Sequence, residues 1–123
     1  VKRSERDEHR EDRIAMRAVV DAYGPEEQAI GWYYYLENEL VFPFRARCRR
    51  QKASSPLKEN KVYEIVAMAH VDECDHDIYV MVDFGEDQLA VPLSQMELVG
   101  EIDNDTCEAI LDWHYWVERG YRF

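Results

Sequence analysis

Phe42-Pro43-Phe44-Arg45-Ala46-Arg47-Cys48-Arg49 is the point at which this sequence changes its period. Phe42, Phe44, Ala46 and Cys48 alternate with Pro43, Arg45, Arg47 and Arg49, the two-residue repeat of a strand with one buried face and one arginine face. Further apolar runs follow at Val62 to Val71, Ile78 to Phe84 and Leu89 to Leu93. They are broken by the acidic stretch Asp72 to Asp77 and by Gly85-Glu86-Asp87-Gln88, which reads as a hairpin turn. Pro92 cannot donate to a ladder, so the last run is an edge strand or ends near Val91. Ser54-Ser55-Pro56 is a loop, and Ser94 to Val99 can form a short closing turn and strand. Residues 42–99 are therefore expected to form a small, five-stranded, SH3-like antiparallel barrel.

Upstream of this stretch the spacing is helical. Ser4 can cap a first helix that carries Ile14, Ala15, Ala18, Val19 and Tyr23 on one side and ends at Gly24, with a charged start over residues 1–13 that is expected to fray. Pro25 followed by Glu26 and Glu27 suits the first turn of a second helix, because proline needs no donor there and acids favour the positive dipole end. Ala29, Tyr33, Leu36 and Leu40 place that helix over 25–39, slightly weakened by Gly31. Downstream, Asp105 or Thr106 caps a final helix over 105–118, Glu108 completes a capping box, and Ile110, Trp113, Trp116 and Val117 form the apolar stripe. The pattern predicts an α+β fold in one compact domain, residues 1–123, with 14–40 helical, 42–99 a barrel and a C-terminal helix.

At 123 residues with 46% hydrophobic and 12% aromatic content, the chain can bury a core without disulfide or metal staples. Its net charge of -11 repels nucleic acid and anionic lipid and concentrates cations. Three cysteines, Cys48, Cys74 and Cys107, are widely spaced and odd in number, which fits a reducing compartment better than a disulfide framework. No apolar run reaches membrane-spanning length, and a cytoplasmic location is expected. The charge is segregated. Lys2 to Arg13 holds five basic and five acidic residues, whereas between Lys61 and Arg119 there are fifteen acidic residues and no Lys or Arg. Repulsion within that run predicts raised carboxylate pKa values and a metal-free protein that gains stability on mild acidification.

Asp72, Glu73, Asp75 and Asp77 crowd four carboxylates into six residues between two predicted strands. Calcium takes six to eight oxygen ligands, and a flexible loop of carboxylates and carbonyls can supply several of them. If the strands near 43–50 and 62–71 pair antiparallel, Glu37 and Asn38 approach this loop from a helix C-terminus, whose free carbonyls also favour a cation. Asp83, Glu86 and Asp87 at the hairpin form a second candidate group. The calcium ion is thus the expected cofactor. An EF-hand is excluded, since counting from Asp103 puts Glu108 at the glycine position and His114 at the bidentate glutamate position. His70, Cys74 and His76 lack a fourth strong ligand at zinc spacing, although Cys48, Cys107 or His114 could approach in the fold. No nucleophile elbow, P-loop, dinucleotide glycine motif or His-Glu-x-x-His is present, so an enzyme is not expected. The alternative is a non-catalytic SH3-like interaction module that docks a protein or RNA partner through Arg45, Arg47, Arg49, Arg50 and Lys52. Internal pairing of those arginines with acids would remove its main support.

Several separate blocks also carry a family resemblance: Ala22-Tyr23-Gly24-Pro25-Glu26-Glu27, Gly31-Trp32-Tyr33-Tyr34-Tyr35-Leu36-Glu37, Phe42-Pro43-Phe44 with Ala46-Arg47-Cys48, Ala90-Val91-Pro92-Leu93-Ser94-Gln95, and Asp112-Trp113-His114-Tyr115-Trp116. In this order, over residues 20–120, they resemble the small calcium-binding proteins typified by cyanobacterial CcbP. The resemblance implies a compact α+β fold, two calcium sites and a role in buffering or sensing cytoplasmic calcium. It also implies an acidic ligand directly after Tyr35-Leu36-Glu37, where this sequence has Asn38, an amide that keeps an oxygen and loses a charge.

Overall fold

Asp7 accepts a hydrogen bond from the Arg10 N–H and so opens helix α1, Glu8–Arg17. The computed structural model describes residues 5–51, 55–74 and 77–123. Ser4, expected as this cap, lies outside the described residues, as do Lys52, Ser54, Asp75 and His76. The helix ends well before Gly24, and Tyr23 is 88% exposed rather than part of an apolar stripe. The Ala18 carbonyl presses on Gly31 of helix α2, Pro25–Glu39, where any β-carbon would overlap its oxygen. Gly31 therefore serves this close approach of α1 to α2.

Helix α2 has the expected bounds, with Pro25 and two acids in its first turn. Its C-terminus is tied to helix α3, Asn104–Glu118, because the Thr106 hydroxyl donates to the Glu39 carbonyl at 3.4 Å and accepts from the Val41 N–H at 2.8 Å. Thr106 is thus not the cap of α3, and neither is Asp105. Asp103 takes that role by accepting from the N–H groups of Asp105 and Thr106. Glu108 turns away from the expected capping box to pair with Arg13 at 3.3 Å and Arg10 at 3.6 Å.

Between the helices lies an antiparallel sheet of β1 (Phe44–Cys48), β2 (Val62–Met68), β3 (Tyr79–Phe84), β4 (Asp87–Pro92) and β5 (Met96–Leu98), in the order β4-β3-β2-β1-β5. The α+β class and all five expected strands are present. The sheet is open, with β4 and β5 as its two edges among the described residues, so the barrel description holds only loosely. Along β1 the alternation is as read, with Phe44, Ala46 and Cys48 buried and Arg45 exposed. Pro92 closes an edge strand, where a missing donor is tolerated.

The core joins α2 to α3. Trp32 and Trp113 are almost completely buried and meet edge to face at 5.0 Å, and Trp116 lies 5.6 Å from Trp32. Beside them Asp112 has no solvent exposure. Its oxygens accept from Arg10 at 2.6 Å, from Arg13 at 2.8 and 2.6 Å, and from the Tyr35 hydroxyl at 2.7 Å. The bidentate carboxylate pushes the Arg13 pKa up, and burial with the Asp112 hydrogen bond does the same to Tyr35. Removing this carboxylate takes from two partly buried guanidinium groups their shortest partner and leaves them the longer contacts to Glu108. Asp112→Ala is therefore expected to cost about 3–5 kcal/mol in chemical denaturation, and a loss below about 1 kcal/mol would show the network to be dispensable.

His114 contributes to the acid limb of stability. Its ring is buried with Nε2 3.5 Å from the Leu93 carbonyl, and its pKa is pushed down to about 4, first by burial and then by the Arg49 charge. The unfolded imidazole gains its proton near its ordinary 6.5, the folded one only near about 4, so stability falls across that window as pH drops. A separation of this size is worth about 3 kcal/mol. This works against the expected gain on mild acidification. His114→Gln should flatten the dependence of melting temperature on pH between these values; an unchanged slope would remove the assignment.

Candidate metal centre

The acidic loop leaves β2 through Ala69, whose N–H donates to the Tyr79 carbonyl at 3.0 Å and extends the sheet pairing. Its first half is a short turn, Val71–Glu73, where the His70 ring accepts from the Asp72 N–H at 3.2 Å. The Cys74 thiol is buried and accepts from the Tyr79 N–H at 3.4 Å, while Asp77 Oδ1 accepts from the Ile78 N–H at 2.8 Å. These bonds hold the loop at both ends. They leave Asp72 and Glu73 exposed and Asp77 half-buried. Asp75 lies outside the described residues.

Tyr33 connects this loop to α2. Its buried hydroxyl donates to the Ala69 carbonyl at 2.7 Å, at the loop's point of departure. Its pKa is pushed up to about 12, chiefly by burial, then by the negative charge of Glu37 and by Cys74. Glu37 and the Cys74 end of the loop thus both act on one phenol, which is the approach of helix end to loop that antiparallel pairing of β1 and β2 implies. Asn38 sits elsewhere. It borders a cleft with Arg17, Val20 and Glu39 on the α1 side.

The second acidic group occupies the other end of β3, roughly 20 Å away for a strand of this length. Phe84 pairs with Asp87 and Asp83 with Gln88 across a two-residue turn, in which Gly85 adopts a φ of +69°. Strand alternation puts Asp83 and Asp87 on opposite faces, and all three acids are exposed.

Charge pairing separates the acids into two populations. Arg10 and Arg13 neutralise Asp112 and Glu108, Arg47 lies 3.3 Å from Glu97, and Arg49 lies 3.3 Å from Glu118. Among the described residues no Lys or Arg forms an ion pair with Glu37, Asp72, Glu73, Asp83, Glu86 or Asp87. The same pairs occupy two arginines of the β1 face, and Arg45 stands opposite Glu64 in register. Two of the arginines of that face are thus engaged by acids of the same chain.

The donor chemistry fits calcium, since the uncompensated groups are hard carboxylate oxygens. Among the described residues, however, no three His, Cys, Asp or Glu side chains converge at metal-binding distance. Cys74 is engaged within the loop, and Cys48 and His114 are buried against Gln95 and Leu93, away from His70. Tyr33 escaped the sequence reading as a site residue. Its position four residues before Glu37, on the same helix face, was the available signal.

A family model described as calcium binding, that of CcbP, matches residues 12–117. The crystal structure of Anabaena CcbP is similar to this chain with 45% identity over 100% of both chains and a TM-score of 0.87. A structure of a calcium-binding protein in its calcium-binding form is similar with 46% identity over 97% of both chains and a TM-score of 0.84. No curated protein matches. A family match across nearly the whole chain, together with close agreement in fold, shows that this chain belongs to the CcbP family of calcium-binding proteins.

Proposed function

We propose that the chain binds calcium through Glu37 and the loop carboxylates Asp72, Glu73, Asp75 and Asp77, and that it buffers or senses calcium in the cytoplasm. The supporting observation is that Glu37 and the loop's Cys74 both act on the Tyr33 hydroxyl, which donates to Ala69 where the loop departs, while Glu37, Asp72 and Glu73 form no ion pair with a Lys or Arg among the described residues. Calcium suits this loop better than magnesium does. It accepts irregular, flexible oxygen shells, whereas magnesium demands near-octahedral geometry and keeps its waters. Asn38 is the weakest member of the expected set, because it has one charge fewer and borders the α1 side. Asp83, Glu86 and Asp87 form a weaker second cation site, as alternation splits them between two faces.

The chain acts as a binding protein rather than an enzyme on this reading. Cys48, Cys74 and Cys107 form no disulfide, which supports a reducing compartment, and no helix among the described residues is long and apolar enough to cross a membrane. Calorimetry with calcium tests the proposal directly. Saturating binding heat is expected, with a rise in stability of about 2.7 kcal/mol at a hundredfold excess over Kd. Combined Asp72→Asn and Asp77→Asn substitution should weaken binding at least tenfold, on the order of 1.4 kcal/mol. Absence of heat and of a melting shift at millimolar calcium would defeat the claim.

Tyr33→Phe removes the hydroxyl that ties the loop to α2 and leaves the Ala69 carbonyl without that donor. The expected loss is about 1–2 kcal/mol of stability. Calcium affinity should fall with it, because the loop then has to be ordered at the expense of binding. A variant with unchanged affinity in calorimetry would exclude Tyr33 from positioning the site.

A further inference from the structure

Glu26, Ile30 and Tyr34 follow one another at four-residue spacing along α2 and form a single stripe of the helix surface. Ile30 is 50% exposed and Tyr34 is 48% exposed, so two large side chains adjoin each other at the surface. Beside them lies a cleft of about 350 Å³, floored by buried Ala29 and walled on the far side by Val71, Asp72 and Cys74. The middle of this cleft is apolar and both edges carry a carboxylate, Glu26 on one side and Asp72 on the other. No basic residue lines it.

Charge complementarity selects the occupant. A second copy of a chain with net charge -11 would bring its own carboxylates against these edges, and an anionic lipid surface would be repelled in the same way. A protein segment that carries one apolar anchor between Lys or Arg side chains satisfies both the middle and the edges. We propose that this cleft docks a basic amphipathic segment of a partner protein. The anchor sits on Ala29, Ile30 and Tyr34, and the flanking cations face Glu26 and Asp72.

The coupling to calcium rests on the calcium reading above. Asp72 serves both as an edge of the cleft and as a loop carboxylate, so a basic side chain and a calcium ion draw on the same negative charge. The two ligands therefore oppose each other, and linkage requires the effect to be reciprocal. Calcium releases the segment, and the segment lowers calcium affinity.

A fluorescent synthetic helical peptide with one leucine face and flanking lysines tests this by anisotropy, in chelator and in millimolar calcium. Wild type should bind in chelator and about tenfold more weakly in calcium, a difference of roughly 1.4 kcal/mol. A control peptide with leucine replaced by serine should lose binding, which separates docking from general attraction to an acidic protein. Ile30→Ser, and independently Tyr34→Ser, should weaken peptide binding about tenfold or more while circular dichroism melts and calcium heats stay as in wild type. Equal binding by both variants, equal binding of the control peptide, or no binding in chelator would overturn the docking site. Binding that is unchanged or tighter in calcium would overturn the coupling. Absence of calcium heat in wild type would defeat the calcium reading while leaving the peptide arm to judge the cleft. Sedimentation equilibrium should show a monomer; a dimer dissolved by Ile30→Ser would give the cleft to a second copy.

Discussion

Asp112 is a carboxylate with no solvent exposure, and three helices meet on it. α1 contributes only Ile14 and Ala18 to the buried core, too little apolar surface to hold a highly charged helix in place by burial alone. Its attachment depends on Arg10 and Arg13 reaching Asp112 of α3, while Tyr35 of α2 supplies the remaining hydrogen bond. Once α1 is fixed, its Ala18 carbonyl packs on Gly31, which sets how closely α1 and α2 approach. A buried charge of this kind is tolerated only because its oxygens are fully engaged by charged and hydroxyl donors.

The same network explains the segregated charge of the chain. Arg10 and Arg13 near the N-terminus and Arg47 on β1 pair with Asp112 and Glu108 of α3 and Glu97 of β5, acids that have no counter-charge near them in sequence. Among the described residues Glu37, Asp72, Glu73 and the hairpin acids Asp83, Glu86 and Asp87 belong to the set that forms no ion pair with a Lys or Arg. Folding therefore sorts equivalent carboxylates into structural and solvent-facing sets. The first set stabilises the fold, and the second carries the negative field that attracts a cation.

The chain belongs to a calcium-binding family, and the acidic loop after β2 is held at both ends. Cys74 and Asp77 engage the backbone at the start of β3, and Tyr33 holds the departing strand against α2. The loop's ends are thus anchored by groups in their interior positions, while Asp72 and Glu73 stay outside.

Periodicity in the sequence sufficed for the elements themselves. The two-residue repeat after Phe42 and the Pro25-Glu26-Glu27 start of α2 are local signals, governed by backbone geometry and by the dipole within a few residues. The carboxylate-rich loop and its hard-oxygen chemistry were legible for the same reason. Helix ends were less so: Asp103 rather than Asp105 caps α3, because Thr106 is drawn to the end of α2 and Glu108 to the arginines of α1. Asp112 read as one acid among fifteen, and only the packing of α1 on α3 made it a buried partner of two arginines. Local rules act over one turn or one strand pair, whereas desolvation and ion pairing depend on residues about a hundred positions apart, such as Arg13 and Asp112. Which carboxylates are neutralised by arginine was decided by the tertiary structure alone.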